Sequence, residues 1–211
     1  MNENLKRYLN ETIMPIYESF DEAHRPDHIQ RVLNRSLSIA KDYDVDYDMV
    51  KVIAIYHDIG MMYGRSDHHE TGARYLLNDA TLRSYFSHDD LVLMSQAIED
   101  HRASRDEKPR SIYGRIIAEA DRDLEPERVL RRTVQYGISH FPDLTFEQHL
   151  ERLVEHMERK YGERGYLRLW LDVKENIEQQ KKLRALLKDR SKLEALVKRI
   201  YDEEVDKKLD R

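Results

Sequence analysis

Apolar positions recur at helical spacing along most of the chain. Leu5, Leu9, Ile13, Ile16 and Phe20 form one stripe and predict a first helix over residues 3–20. Asp21 to Asp27 breaks the pattern, and Pro26 suits the first turn of the next helix. There Ile29, Val32, Leu33, Ser36, Leu37 and Ala40 repeat every three or four residues, up to about Tyr43. The following run, opened by Asp46, is different in kind. Val50 to Met62 leaves no polar face and ends in His57-Asp58, with Gly60 as the expected helix stop, so it reads as a central helix buried on most sides. After a loop over Met61 to Arg65, Asp67 and Glu70 have capping-box spacing and predict a helix from about His68 that carries Ala73, Leu76 and Leu77. Asp89 or Asp90 is the expected N-cap of the next helix, whose Met94, Ala97, Ile98 and His101 share a face. Beyond the polar loop Arg102 to Arg110, Ile112, Ile116, Ile117 and Ala120 point inward one turn before Asp121.

Helix is expected again over Leu124 to Tyr136, with Gly137 to Asp143 as a break. From Thr145 apolar residues alternate with charges, and Gly162 with Gly165 marks a turn. Leu167 to Leu187 and Leu193 to Val205 read as long charged helices sharing the stripe Leu183, Leu186, Leu187, Leu193, Leu196, Val197 and Ile200. This divides the chain into a domain over residues 1–140, its chemistry within 22–138, and a C-terminal helical extension over 141–211. The extension could cap the core or build a homodimer interface.

Composition narrows the chemistry. Seven glycines and five prolines, with few β-branched runs, favour an all-α bundle. With no cysteine in the sequence there is no disulfide, thiolate zinc site or cysteine nucleophile, so any metal has histidine and carboxylate ligands. A net charge of −5 argues against a general nucleic-acid coat but leaves room for a small phosphorylated ligand. No run approaches the roughly 20 apolar residues of a membrane span, and the start lacks a basic region followed by an apolar one, so a cytoplasmic protein is expected.

A histidine and a carboxylate in the last turn of so apolar a helix must find partners, because an unpaired buried polar group costs roughly 2–7 kcal/mol. A metal ion satisfies both, and the helix C-terminus favours a cation. The second such dipeptide, His88-Asp89, lacks the apolar lead-in and reads as a helix start. The other candidates are His28 at the edge of its stripe, His68 with His69 beside it, His101, and Asp121, for which Arg122 or Arg115 offers an ordinary salt bridge instead. Each borders apolar surface near a helix end, and converging helix ends are how helical folds build metal sites.

Taken in order, DHIQRV, YHDIG, HHETGARYLL, AIEDH and IIAEADRDLEPER resemble the blocks of the HD superfamily of metal-dependent phosphohydrolases. The resemblance covers residues 22–138 and implies an all-helical core holding a first metal by His28, His57, Asp58 and Asp121. HHETGARYLL is similar to two-metal members, which implies His68 and His101 on a second ion with Asp58 bridging. The lysine after HDIG in HD-GYP phosphodiesterases is Met61 here and their GYP block is absent, which disfavours a cyclic dinucleotide. Arg65, Arg102 and Arg122 are candidate phosphate contacts by charge and proximity.

The expected activity is hydrolysis of a phosphate ester or anhydride of a nucleotide or similar small metabolite by metal-activated water. His57 and Asp58 are the central catalytic pair, with one or two divalent ions (Mn, Fe, Co, Ni or Mg) per chain. A di-iron oxygenase on the same ligands, or a non-catalytic metal-containing binding module, are the alternatives.

Overall fold

The computed structural model describes residues 1–20, 26–105 and 107–209. Among them are ten α-helices and no strand, so the expected all-α class holds. The chain forms two compact units, Met1–Arg122 and Asp123–Arg211.

In the first unit the opening stripe changes pitch as it goes. α1 (Glu3–Tyr8) runs into a π turn at Leu9–Ile13 and a 3-10 segment at Met14–Ser19. Pro15 explains the change: it has no N–H for the carbonyl four residues back, and its ring crowds that carbonyl, so an α turn cannot continue through it. The altered winding moves the buried face. Leu5, Leu9, Ile13 and Tyr17 are buried, whereas the expected Ile16 and Phe20 are only half-buried. Most of the expected break, residues 21–25, lies outside the described residues.

α2 (Pro26–Ala40) opens on its proline and buries His28, Ile29, Val32, Ser36, Ile39 and Ala40. α3 (Tyr47–Tyr56) is capped by Asp46, whose side chain accepts from the amides of Asp48 and Met49, and it buries nearly every residue from Met49 to Tyr56. It ends earlier than the apolar run suggests. The chain passes through His57 and Asp58 into a 3-10 turn, Ile59–Tyr63. Gly60 is not the left-handed stop expected of it, since Gly64 alone among the described residues has positive φ. Its role is close packing. A Cβ there would stand 2.0 Å from the His68 carbonyl oxygen and 2.5 Å from the Gly72 nitrogen.

α4 (His68–Asn78) starts where expected but without the capping box. Asp67 makes no side-chain cap, and its carbonyl instead accepts the amides of Glu70 and Thr71. α5 (His88–Asp100) does have a capping box, built by Ser87 with Asp90, so Asp89 is not the cap and Asp90 is the reciprocal partner. α6 (Ile112–Asp121) is capped by Ser111. α4 packs on α5, α2 on α3 and α6, and α5 on α3 and α6.

In the second unit α7 (Pro126–His140) continues through Gly137, where a helix break was expected. The glycine admits a close neighbour: a Cβ would meet Arg152 Nη2 at 2.5 Å and His149 Nδ1 at 2.8 Å, both on α8 (Phe146–Tyr161). The break falls at Phe141 to Leu144. Val129, Leu130 and Val134 of α7 are buried with Leu150, Leu153 and Met157 of α8, which places α7 in this unit and not with residues 1–122. Residues 167–173 are not helical as expected. The Gly162–Gly165 turn folds the chain back so that the Tyr166 and Leu167 amides donate to the Arg159 and Lys160 carbonyls. α9 (Lys174–Lys188) and α10 (Arg190–Leu209) then supply the expected stripe, with Leu183, Leu186, Leu193, Val197 and Ile200 buried.

Candidate metal centre

Five elements of the first unit aim side chains at one point. His28 comes from the first turn of α2, His57 and Asp58 from the end of α3, His68 from the start of α4, His101 from the end of α5, and Asp121 from the last residue of α6. Asp58 is where α3 stops being helical. Its φ of −105° and ψ of 6° lie in the sparsely occupied bridge region, and Gly60 just beyond lets the start of α4 close over that turn.

The six side chains form two half-sites joined by Asp58. On one side its Oδ2 lies 3.1 Å from His57 Nε2 and 3.4 Å from His28 Nε2. The two imidazole nitrogens are 3.3 Å apart. Asp121 Oδ1 is 3.3 Å from His28 Nε2 and 3.9 Å from His57 Nε2. On the other side Asp58 Oδ1 lies 3.5 Å from His68 Nε2 and 3.6 Å from His101 Nε2. Bonds of about 2.0–2.2 Å to one ion put neighbouring donors about 3.0–3.5 Å apart, which is close to what is found on both sides. His28, His57 and Asp58 converge closely enough to hold one ion, and Asp58, His68 and His101 a second.

The rings are set for ligation by backbone carbonyls. Nδ1 of His57 lies 2.8 Å from the Ala54 oxygen, Nδ1 of His68 2.8 Å from the Arg65 oxygen, and Nδ1 of His101 2.6 Å from the Ile98 oxygen. A carbonyl can only accept, so in each ring Nδ1 carries the proton and Nε2 turns its lone pair inward. His28 differs: its Nδ1 faces the Arg31 guanidinium at 3.1 Å.

The charge balance favours a cation. Burial opposes a charged His28, yet hydrogen bonds to Asp121 and Asp58 raise it to about 9. His57 is raised by Asp58 and Asp121 despite full burial. The same attraction works on the carboxylates: burial alone would raise them, but His57 and its neighbours hold Asp58, and His28 holds Asp121, well below the usual carboxylate range. His68 is pushed down to about 4 by burial and then by His101, so it offers a neutral imidazole at pH 7. Asp121 and His68 keep 25 % and 14 % of their side chains exposed while His57 keeps none, so the cluster opens to solvent along their side.

His69 is not part of this geometry. Its Nε2 lies 3.9 Å from Glu70, and its buried Nδ1 has no hydrogen-bond partner. The three arginines are placed differently from one another. Arg65 is exposed on the loop before α4, Arg102 is half-buried and donates to the Ser66 carbonyl, and Arg122 is buried and donates to the His101 carbonyl. Asp100, which had no assigned role in the sequence, is buried beside His101. It accepts the backbone amide of Arg110 at 2.8 Å and its guanidinium at 2.9 and 3.1 Å, with Arg105 3.5 Å away. A carboxylate ending an apolar helix face was the available signal, the same one that marks Asp121. A groove of about 620 Å³ elsewhere in the unit, lined by Tyr8, Tyr63, Arg74 and Tyr75 among others, includes none of the candidate ligands.

Residues 25–124 match the family model described as HD domain. This stretch is an HD domain. The HD superfamily is one of metal-dependent hydrolases, and the histidine–aspartate cluster described above lies within the matched residues. No curated protein and no solved structure matches the chain. Among the described residues no helix is long and apolar enough to cross a membrane.

Proposed function

We propose that the protein hydrolyses a phosphate ester or anhydride of a nucleotide or similar small metabolite, using one or two divalent ions. The observation that carries this reading is the position of Asp58, with its two oxygens directed at two separate sets of imidazoles. His28, His57, Asp58 and Asp121 would hold the first ion, and Asp58, His68 and His101 the second. The donor set suits Mn, Fe, Co, Ni or Mg, since imidazole and carboxylate are the only ligand types offered. When bound, such an ion supplies a water of lowered pKa and a Lewis acid for a phosphoryl oxygen.

The protein side chains do the rest. The backbone carbonyls behind His57, His68 and His101 fix their tautomers, so the ligand lone pairs are in place beforehand. The Asp58 carboxylate keeps the two half-sites in register. Arg65, whose backbone carbonyl holds His68 Nδ1, and Arg102, which directly follows His101, are the candidates for a substrate phosphate.

Two measurements on the full chain test the reading: metal content by mass spectrometry, and turnover of a panel of nucleotides, dinucleotides and a generic phosphodiester with Mn²⁺. Close to two equivalents and metal-dependent hydrolysis are expected. Asp58→Ala removes a ligand from both half-sites and should lower turnover by at least about 100-fold, the upper end of what the loss of an outer-shell partner alone costs. Undiminished metal-dependent turnover in that variant would show the role of Asp58 to be misassigned. A wild-type chain that takes up no metal when metal is plentiful would exclude the hydrolase reading. Turnover that requires both iron and oxygen would favour an oxygenase on the same ligands.

A further inference from the structure

Arg122 directly follows the ligand candidate Asp121, yet its side chain does not face the open side of the cluster. It is only 3 % exposed, and its Nη1 donates to the backbone carbonyl of His101 at 3.3 Å. His101 is the C-cap of α5, so this carbonyl belongs to the last turn, whose acceptors have no partner within the helix. A guanidinium there supplies the missing donor and places a positive charge at the negative end of the helix dipole. The ring of the same residue points the other way, Nδ1 onto Ile98 and Nε2 toward Asp58.

This contact joins the two halves of the site from behind. Asp121 belongs to the half-site of His28 and His57, His101 to that of His68, and in front they are bridged by Asp58. Behind them, the backbone that carries Asp121 is tied through Arg122 to the backbone that carries His101. His28 sits on α2 and His57 at the end of α3; the His57 ring meets the His101 ring edge-on, 5.3 Å between centroids, but its Nδ1 is held by the Ala54 carbonyl of α3.

We propose that Arg122 is a positioning residue for the second metal half-site: by holding the His101 peptide it sets the place of the His101 imidazole, and it does not contact the substrate phosphate. This rests on the two-ion reading of the centre. Without the guanidinium the His101 carbonyl loses this donor, while Arg105 still donates to the Glu99 carbonyl of the same turn, and the His101 ring loses its fixed origin while the first half-site keeps its ligands.

The test is Mn²⁺ binding to the full chain by calorimetry, with stoichiometry by mass spectrometry, for wild type, Arg122→Gln, Arg122→Lys and His68→Ala. His68→Ala serves as the reference for a chain with the first half-site only. Arg122→Gln should bind the first ion within about threefold of wild type and the second at least about tenfold more weakly, in the range expected for loss of an outer-shell partner. Arg122→Lys, which keeps a charged donor of shorter reach, should fall between the two. If Arg122→Gln does not fold, Arg122→Lys decides: a raised ratio of second to first dissociation constant supports the proposal, and an unchanged ratio overturns it. Both ions bound as in wild type, with a raised KM for a generic phosphodiester, would make Arg122 a phosphate contact and overturn the proposal. Equal weakening of both ions would reduce Arg122 to a general structural residue. A single ion in wild type would also overturn it, while leaving the hydrolase reading standing if that one-ion protein turns over phosphoesters.

Discussion

Each oxygen of Asp58 faces two imidazoles, but those imidazoles do not all weigh the same. His57 is fully buried and shares its half-site with Asp121, whereas His68 is partly exposed and held near 4, so a proton competes little with a metal for its lone pair at neutral pH. His68→Ala should therefore take the protein from two bound ions to one, and His69→Ala should leave both; metal content of the two variants side by side checks this. Away from the site, His156 on α8 is half-buried, and burial followed by the charges of Lys160, Arg159 and Arg152 pushes it down to about 4. An unfolded histidine takes its proton near 6.5. Below that pH the unfolded chain binds the extra proton and the native chain does not, so stability falls as pH drops from about 6.5 to about 4. His156→Gln should flatten that part of a urea-midpoint profile, and an unaltered profile would mean that other groups set the acid limb.

At the level of elements, Gly60 matters most for the geometry. Its Cα lies against the first turn of α4, and an added Cβ would meet backbone atoms at 2.0 and 2.5 Å, which cannot move aside as a side chain can. Gly60→Ala should destabilise by about 1–3 kcal/mol or more and weaken the second ion through displaced His68; a protein with unchanged melting temperature and metal content would refute this. Gly60 also illustrates what could be read from the sequence. The apolar run predicted a buried helix ending at a histidine–aspartate pair, and the ordered blocks around it pointed to His28, His57, Asp58, His68, His101 and Asp121, which the fold brings together. Periodicity reports which face is buried but not how closely two backbones approach. Hence a glycine serving close approach was read as a stop at Gly60 and as a break at Gly137. Pro15 and the return of residues 162–173 along α8 were misplaced for a related reason. Local winding there is set by a missing donor in one case and by a tertiary backbone pairing in the other. Cap identity at Ser87 and the Asp100–Arg110 pairing were likewise decided by contacts that spacing does not encode.

For the whole molecule, the centre concentrates buried charge that the fold must tolerate before any ion is present. Six candidate ligand side chains from α2 to α6 bring two carboxylates and four imidazoles together, and in the metal-free chain the proton on His28, raised to about 9, offsets part of the charge of Asp58 and Asp121. A divalent ion held there would replace that proton, and because the unfolded chain has no assembled site, its binding energy would add to folding stability. With free metal at about 1,000 times its dissociation constant the gain is about 4 kcal/mol for a single site. Thermal unfolding with Mn²⁺ should therefore occur well above that with a chelator, and amide exchange in α2 to α6 should slow on metal addition. Because metal uptake would expel the His28 proton, calorimetric heats at pH 7 should depend on the ionisation enthalpy of the buffer. Heats that are the same in all buffers, together with an unshifted melting temperature, would mean that the cluster is balanced internally by its own protons and that no ion belongs there.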